Sequence, residues 1–249
     1  MLISASTQCW PGRSFAEIVE IFYDLDFSSI EIALHENGGL AKPSDLIGDP
    51  EHAATWLRHG HRLDIVAYSV ELASTGDQHY EDFAAICRIA KATKVVTLVV
   101  PSAELGTPFN EEVEHLRKLV AIAEVEGARV GVRTEIGRLS EDPDTLMVLC
   151  NNVDGLGITL DPSVYIVGPA RAKSLDRILK FVYHVHLRDT KPDRFQVSVG
   201  QGDVDYAKLI SQLEREKYDR ALSVHMAPME GLDHRVELRK LRRLLETLL

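Results

Sequence analysis

An α/β fold with its strands closed into a single (β/α)8 TIM barrel is predicted by two features of the chain. Strand-like and helix-like segments alternate from end to end, and the strand-like ones carry little charge. Strand-like runs fall at 2–6, 28–34, 63–70, 94–100, 129–135, 156–161, 181–187 and 220–226. They are rich in Val, Ile and Leu, as strands buried on both faces of a parallel sheet are. A doubly wound open sheet is the alternative. Neither a glycine-rich linker nor a shift of composition divides the 249 residues, so one domain spanning 1–249 is expected.

The segments between the runs have helical periodicity. Phe15, Ile18, Val19 and Phe22 form one apolar stripe, Leu116, Leu119, Val120, Ile122 and Ala123 a second, and Leu209, Ile210 and Leu213 a third. Ser14 is placed to cap the first helix, and Gly127 to end the long helix that starts near Asn110. Glu141-Asp142-Pro143-Asp144 puts acids and a proline at a helix start, where free N–H groups and the dipole favour them. The last helix, from about Asp233 to Leu249, has a stripe of Val236, Leu238, Leu241, Leu244, Leu245 and Leu248. Arg235, Arg239, Lys240, Arg242 and Arg243 are expected on its solvated face. Gly38, Gly39 and Pro43 are read as a loop after the second strand.

Composition narrows the function. The net charge of −10 argues against a surface built to hold a nucleic-acid backbone, which needs clustered Lys and Arg. No apolar stretch approaches the ~20 residues that span a bilayer, and no signal-peptide pattern opens the chain. Cys9, Cys87 and Cys150 are widely spaced and odd in number, which suggests reduced thiols and a cytoplasmic setting. The expected partner is a small-molecule carbohydrate substrate, with no nucleic acid and no membrane; a homodimer is left open.

Four runs of the second half end on a residue able to bind a metal: Val130 to Glu135, Leu156 to Asp161, Val182 to His186 and Ala221 to His225. Parallel strands gather their C-terminal ends on one face, so Glu135, Asp161, His186 and His225 are candidate ligands of one divalent ion. Each has a plainer reading, which for the His184/His186 pair is a core histidine that satisfies a hydrogen bond deeper in the barrel. Glu135 pairs with Arg133 or Arg138, Asp161 is a turn or capping aspartate, and His225 is a satisfied histidine at the rim. His184 and His186 share one side of their strand, with His186 as the ligand and His184 behind it. Arg188 faces a substrate or makes a rim salt bridge with Asp189 or Asp161. Glu31 and Glu71, near strand ends, are candidates for hydrogen bonds to substrate. Trp10 walls a sugar pocket or packs beneath a loop. Gly200-Gln201-Gly202 lacks the Lys and Ser/Thr of a phosphate loop and reads as a plain turn.

The order Glu135, Leu160-Asp161-Pro162, His184-Val185-His186-Leu187-Arg188-Asp189 and Gly200-Gln201-Gly202-Asp203 resembles the xylose isomerase-like barrels. These are sugar phosphate isomerases and epimerases that include ketose 3-epimerases and inosose-processing enzymes. The resemblance covers most of the chain and is clearest from about residue 129 onward. It implies a divalent ion (Mn, Zn, Co or Mg) held by Glu135, Asp161 and His186, with His225 where the family pattern has Glu. It implies isomerisation or epimerisation of a sugar, sugar phosphate or related polyol through an enediolate, with Glu135 and His225 as the catalytic groups. A barrel that only binds a ligand or partner is the alternative. Related zinc-dependent apurinic endonucleases carry further histidines where this chain has Asp161-Pro162-Ser163-Val164 and Asp193-Arg194-Phe195, which weighs against a nuclease.

Overall fold

The computed structural model describes residues 1–58, 62–171 and 173–249. Eight parallel strands close into a barrel in sequence order: β1 (Leu2–Ser6), β2 (Ser29–His35), β3 (Asp64–Glu71), β4 (Thr97–Pro101), β5 (Arg129–Arg133), β6 (Gly157–Leu160), β7 (Val182–Leu187) and β8 (Ala221–Val224). Closure is made by β8 against β1, with Leu2 opposite Ala221 and Ala5 opposite Val224. A closed barrel leaves no sheet edge, which excludes the open doubly wound sheet.

The helices around it are α1 (Phe15–Asp24), α2 (Pro43–Ile47), α3 (Pro50–Arg58), α4 (Gly76–Thr93), α5 (Phe109–Val125), α6 (Pro143–Asn152), α7 (Val164–Val167), α8 (Tyr206–Arg215) and α9 (His234–Leu248). Ser14 caps α1 through a reciprocal box with Glu17. Asp142 caps α6, which begins at Pro143. Gly127 takes φ +75° after α5, and the Ala128 N–H bonds back to the Ala123 carbonyl at 2.9 Å. None of the described helices is long and apolar enough to cross a membrane.

Three expectations change. Alternation with one full helix per strand fails between β6 and β7, where α7 is a single turn: Pro169 has no N–H to offer and disfavours helix at Gly168 before it. Pro43 opens α2 rather than sitting in a loop, because its fixed φ suits a first helical turn. Arg242 is buried, not solvated: it donates to the Asp26 carbonyl at 3.2 Å and pairs with Asp26 and Glu246. Val236 correspondingly lies on the exposed side of α9.

Several strands are one or two residues shorter than the sequence suggested. The ladders end at Arg133, Leu160 and Val224, so Glu135, Asp161 and His225 lie in the loops just beyond β5, β6 and β8. His186 stays within β7. All four are therefore at the C-terminal mouth of the barrel, where the fold places its chemistry.

Candidate active site at the barrel mouth

The deepest part of the site lies inside the barrel. Glu31 on β2 is fully buried, and a buried carboxylate requires donors on both oxygens. Ser6 on β1 donates to Oε1 at 3.1 Å. Nε2 of His184 and Nε2 of His186, both on β7, meet Oε2 at 2.5 and 2.7 Å. Burial acts to raise the Glu31 carboxyl, but the field of His186 and the hydrogen bonds from both imidazoles outweigh it and hold it well below the usual glutamate range. An ionised carboxylate only accepts, so both histidines carry hydrogen on Nε2. Burial in turn holds His184 below its ordinary value, against the pull of Glu31. Nδ1 of His186 is left buried without a hydrogen-bond partner.

Above this layer an arc of side chains follows the rim. Beyond β5, Glu135 accepts from Arg133 Nε and Nη2 at 3.2 and 2.8 Å and pairs with Arg138 at 3.3 Å. Arg133 also reaches Glu71, at the end of β3, at 2.6 Å. Burial would raise the Glu71 carboxyl, but His35 and Arg133 hold it below its ordinary value. His35, at the end of β2, lies 3.8 Å from Glu71, too far for a hydrogen bond. Its Nδ1 meets Gln8 Nε2 at 3.0 Å and its Nε2 meets Ser69 Oγ at 2.9 Å. Gln8 Oε1 meets His225 Nε2 at 2.5 Å. Nδ1 of His225 meets Arg188 Nη2 at 2.5 Å, and Arg188 grips Asp161 through Nε and Nη2 at 3.0 and 2.9 Å. The Asp161 N–H donates to Thr134 Oγ1 at 2.8 Å, which brings the arc to the residue before Glu135. His225 is held well below its ordinary pKa, by burial first and then by repulsion from His186 and Arg188, so it is neutral.

The residues singled out in the sequence divide accordingly. His186 and His225 meet face to face, with ring centroids 4.4 Å apart and planes 5° from parallel. Asp161 joins His225 through Arg188, and its other oxygen caps the Ser163 N–H at 2.9 Å. Glu135 is engaged with Arg133 and Arg138, and among the described residues neither it nor Asp161 joins the group of donor atoms that lie within 4.8 Å of one another. Trp10 is not part of this arc: it packs edge-on against His234 at 4.8 Å and lines a groove with residues of α1 and α9. Gly200 and Gly202 turn their N–H groups onto Asp189 Oδ2 at 2.7 and 2.9 Å. A Cβ at Gly202 would overlap the same carboxylate, so that turn cradles an internal anion.

Gln8, His35 and Arg133 carry the arc and were not put forward as site residues from the sequence. The run Ser29 to Leu34 ends on His35 just as the later runs end on their ligands, and that signal marks it. Gln8 gave no such signal, because it lies in the short turn after β1.

The sequence resemblance to the xylose isomerase-like barrels implies a divalent ion, and part of the donor chemistry fits one. Glu31, His186 and His225 each offer a ligand atom, all within 4.8 Å of one another. An imidazole whose Nε2–H is fixed by a carboxylate while Nδ1 stays unpartnered is the form in which metal-binding histidines are held. Both Glu31 oxygens are committed to Ser6, His184 and His186, which makes Glu31 the residue that orients His186.

Comparison with known proteins places this geometry in context. No functionally curated protein sequence matches the chain. Among solved structures, a D-tagatose 3-epimerase-like protein superposes with a TM-score of 0.75 at 18% identity, covering 100% of this chain and 98% of that one. The 3-keto-D-glucoside 4-epimerase YcjR from E. coli, in its apo form, gives 0.74 at 15%, covering 99% of each. The IOLI protein with a bound zinc atom gives 0.75 at 16%, covering 100% and 98%. At these identities the likeness is one of fold. Residues 19–247 match the family model of the xylose isomerase-like TIM barrel, and the chain belongs to that family.

Proposed function

We propose that this protein is an isomerase or epimerase of a sugar, sugar phosphate or related polyol. It works by an enediolate-type proton transfer with one divalent ion held by Glu135, Asp161, His186 and His225. The observation that carries this reading is His186, whose Nε2–H is fixed on Glu31 at 2.7 Å while Nδ1 stays buried and unpartnered. Mn, Zn, Co and Mg are the candidate ions, and an imidazole in place of a third carboxylate moves the donor set toward Zn or Co. When bound, such an ion polarises a carbonyl and the hydroxyl beside it. The reading includes one domain throughout, a cytoplasmic setting and carbohydrate metabolism, and a homodimer is compatible with it. The three cysteines are free and buried, as reduced thiols are.

Glu135 is the base. Its carboxylate, oriented by Arg133 and Arg138, takes the proton from the carbon next to the carbonyl, and the electron pair moves onto the carbonyl oxygen. Return of a proton to the opposite face of the same carbon gives the epimer, and to the neighbouring carbon the isomer. His225 is the second catalytic group, and its Nδ1 carries a proton only while it is free of both Arg188 and the ion. Arg188 and His184 complete the substrate side, the first by contact and the second through Glu31.

The test is solvent deuterium incorporation into a panel of aldoses, ketoses and their phosphates, using protein loaded with Mn, Co or Zn. Metal-dependent exchange of one C–H and about one ion per chain are expected. A chain that takes up no stoichiometric ion after soaking would sink the metal-dependent reading. A chain that holds an ion yet exchanges nothing favours a barrel that binds without turnover. One observation supports that second reading: Glu135 and Asp161 already have arginine counter-charges in Arg133, Arg138 and Arg188.

A further inference from the structure

The hydrogen bonds that run from Arg188 through His225, Gln8 and His35 to Ser69 have one possible direction. A guanidinium donates and never accepts, so His225 Nδ1, 2.5 Å from Arg188 Nη2, presents its lone pair. The hydrogen of the neutral ring then lies on Nε2 and is given to Gln8 Oε1 at 2.5 Å. The amide of Gln8 in turn donates from Nε2 to His35 Nδ1 at 3.0 Å. That places the His35 hydrogen on Nε2, 2.9 Å from Ser69 Oγ. Reversing any link would require the guanidinium to accept.

Arg188 is itself firmly seated. Asp161 holds it from one side, His225 from another, and its carbon lies 4.7 Å over the ring of Phe195, leaving the side chain 12% exposed. The two atoms it contacts, Asp161 Oδ2 and His225 Nδ1, are donor atoms of the proposed metal set.

We propose that Arg188 is a positioning residue that locks His225, and through Gln8 also His35, in the neutral tautomer with hydrogen on Nε2, and that it competes with a divalent cation for Asp161 and His225. The competition rests on the mouth being a metal site; the tautomer lock does not. Cation uptake and outward rotation of Arg188 are then two sides of one equilibrium, and each opposes the other by the same factor. Once released, the guanidinium is free for an anionic or hydroxylated group of the substrate.

Long-range proton–nitrogen NMR spectra of chelator-treated protein labelled with ¹⁵N-histidine test the lock, with His225→Gln and His35→Gln assigning the signals. Both rings are expected as neutral Nε2–H tautomers. In Arg188→Met both become tautomer mixtures, and Co²⁺ affinity measured by titration calorimetry rises by about tenfold. Arg188→Lys, which keeps a donor, restores the single tautomer. Hydrogen on Nδ1 of wild-type His225, or an imidazolium there at neutral pH, overturns the lock without recourse to any variant. Unchanged Co²⁺ affinity in Arg188→Met overturns the competition. Because the spectra need neither substrate nor turnover, a protein that shows the lock but exchanges no C–H refutes the proposed reaction and leaves this inference standing.

Discussion

Glu31 and Glu135 lie at two depths of the same barrel and are held by opposite means. Glu31 is fully buried, and its oxygens are filled by a hydroxyl and two imidazoles. Glu135, at the rim with its side chain 35% exposed, is held by the guanidinium groups of Arg133 and Arg138. The difference follows from where water can reach. A deep carboxylate must have its hydrogen bonds filled by the fold, so it serves as an anchor for the residues above it. A rim carboxylate is paired with guanidinium groups yet stays partly open, so it remains available to a ligand.

Removal of the deep anchor is the strongest way to test this contrast. Glu31→Ala leaves Ser6, His184 and His186 with buried, unpaired donors. Unpaired buried donors cost about 1–3 kcal/mol each, so a loss of about 3–5 kcal/mol is expected in denaturant unfolding. A loss below about 1 kcal/mol would mean that the deep layer is not an anchor at all.

Acid should reveal the same layer. Glu31 is held below its ordinary value of 4.5, and His184 and His225 below 6.5. The unfolded chain therefore binds protons below pH 6.5 at histidines that stay neutral when folded, and stability falls as the pH drops. Each such histidine adds about 1.4 kcal/mol per pH unit. Below 4.5 the unfolded Glu31 protonates as well, and the fall steepens. His115, lowered to about 4 by burial and then by His79 and Lys118, contributes in the same direction from outside the site. A thermal midpoint that stays level from pH 7 to pH 5 would show that these rings are solvated.

Smaller effects separate the two regions further. Ser6→Ala removes one neutral donor from Glu31 and should cost about 1 kcal/mol. Glu135→Gln should cost less than about 1 kcal/mol, since Arg133 keeps its 2.6 Å bond to Glu71. Its turnover should nevertheless fall by about 10²–10⁴-fold if Glu135 is the base. A Glu135→Gln variant with wild-type deuterium exchange would remove Glu135 from the chemistry.

Much of the fold was legible because each strand is an apolar run, and the later ones carry an acidic or histidine residue at or just beyond their ends. That pattern places Glu135, Asp161, His186 and His225 at one mouth, as the closed barrel does. The pairings were not legible in the same way. Glu31 was read as a group that hydrogen-bonds substrate near a strand end, and the structure sets it inside the barrel, where it anchors His186 from 155 residues away. Glu135 sits between arginines, one of the plainer readings of its sequence neighbourhood. Arg133 reaches past β4 to Glu71 on β3, a contact set by the order of the strands in the sheet and not by sequence spacing.

By itself the sequence determined the alternation of elements, the caps and the residues set at the ends of the strands, since those depend on local periodicity and backbone chemistry. The tertiary structure alone decided which of these residues touch, which carboxylate is buried beyond the reach of water, and where the hydrogens of His225 and His35 must lie. Those outcomes depend on interior distances fixed by closing eight strands, and on a guanidinium that donates hydrogen bonds and accepts none.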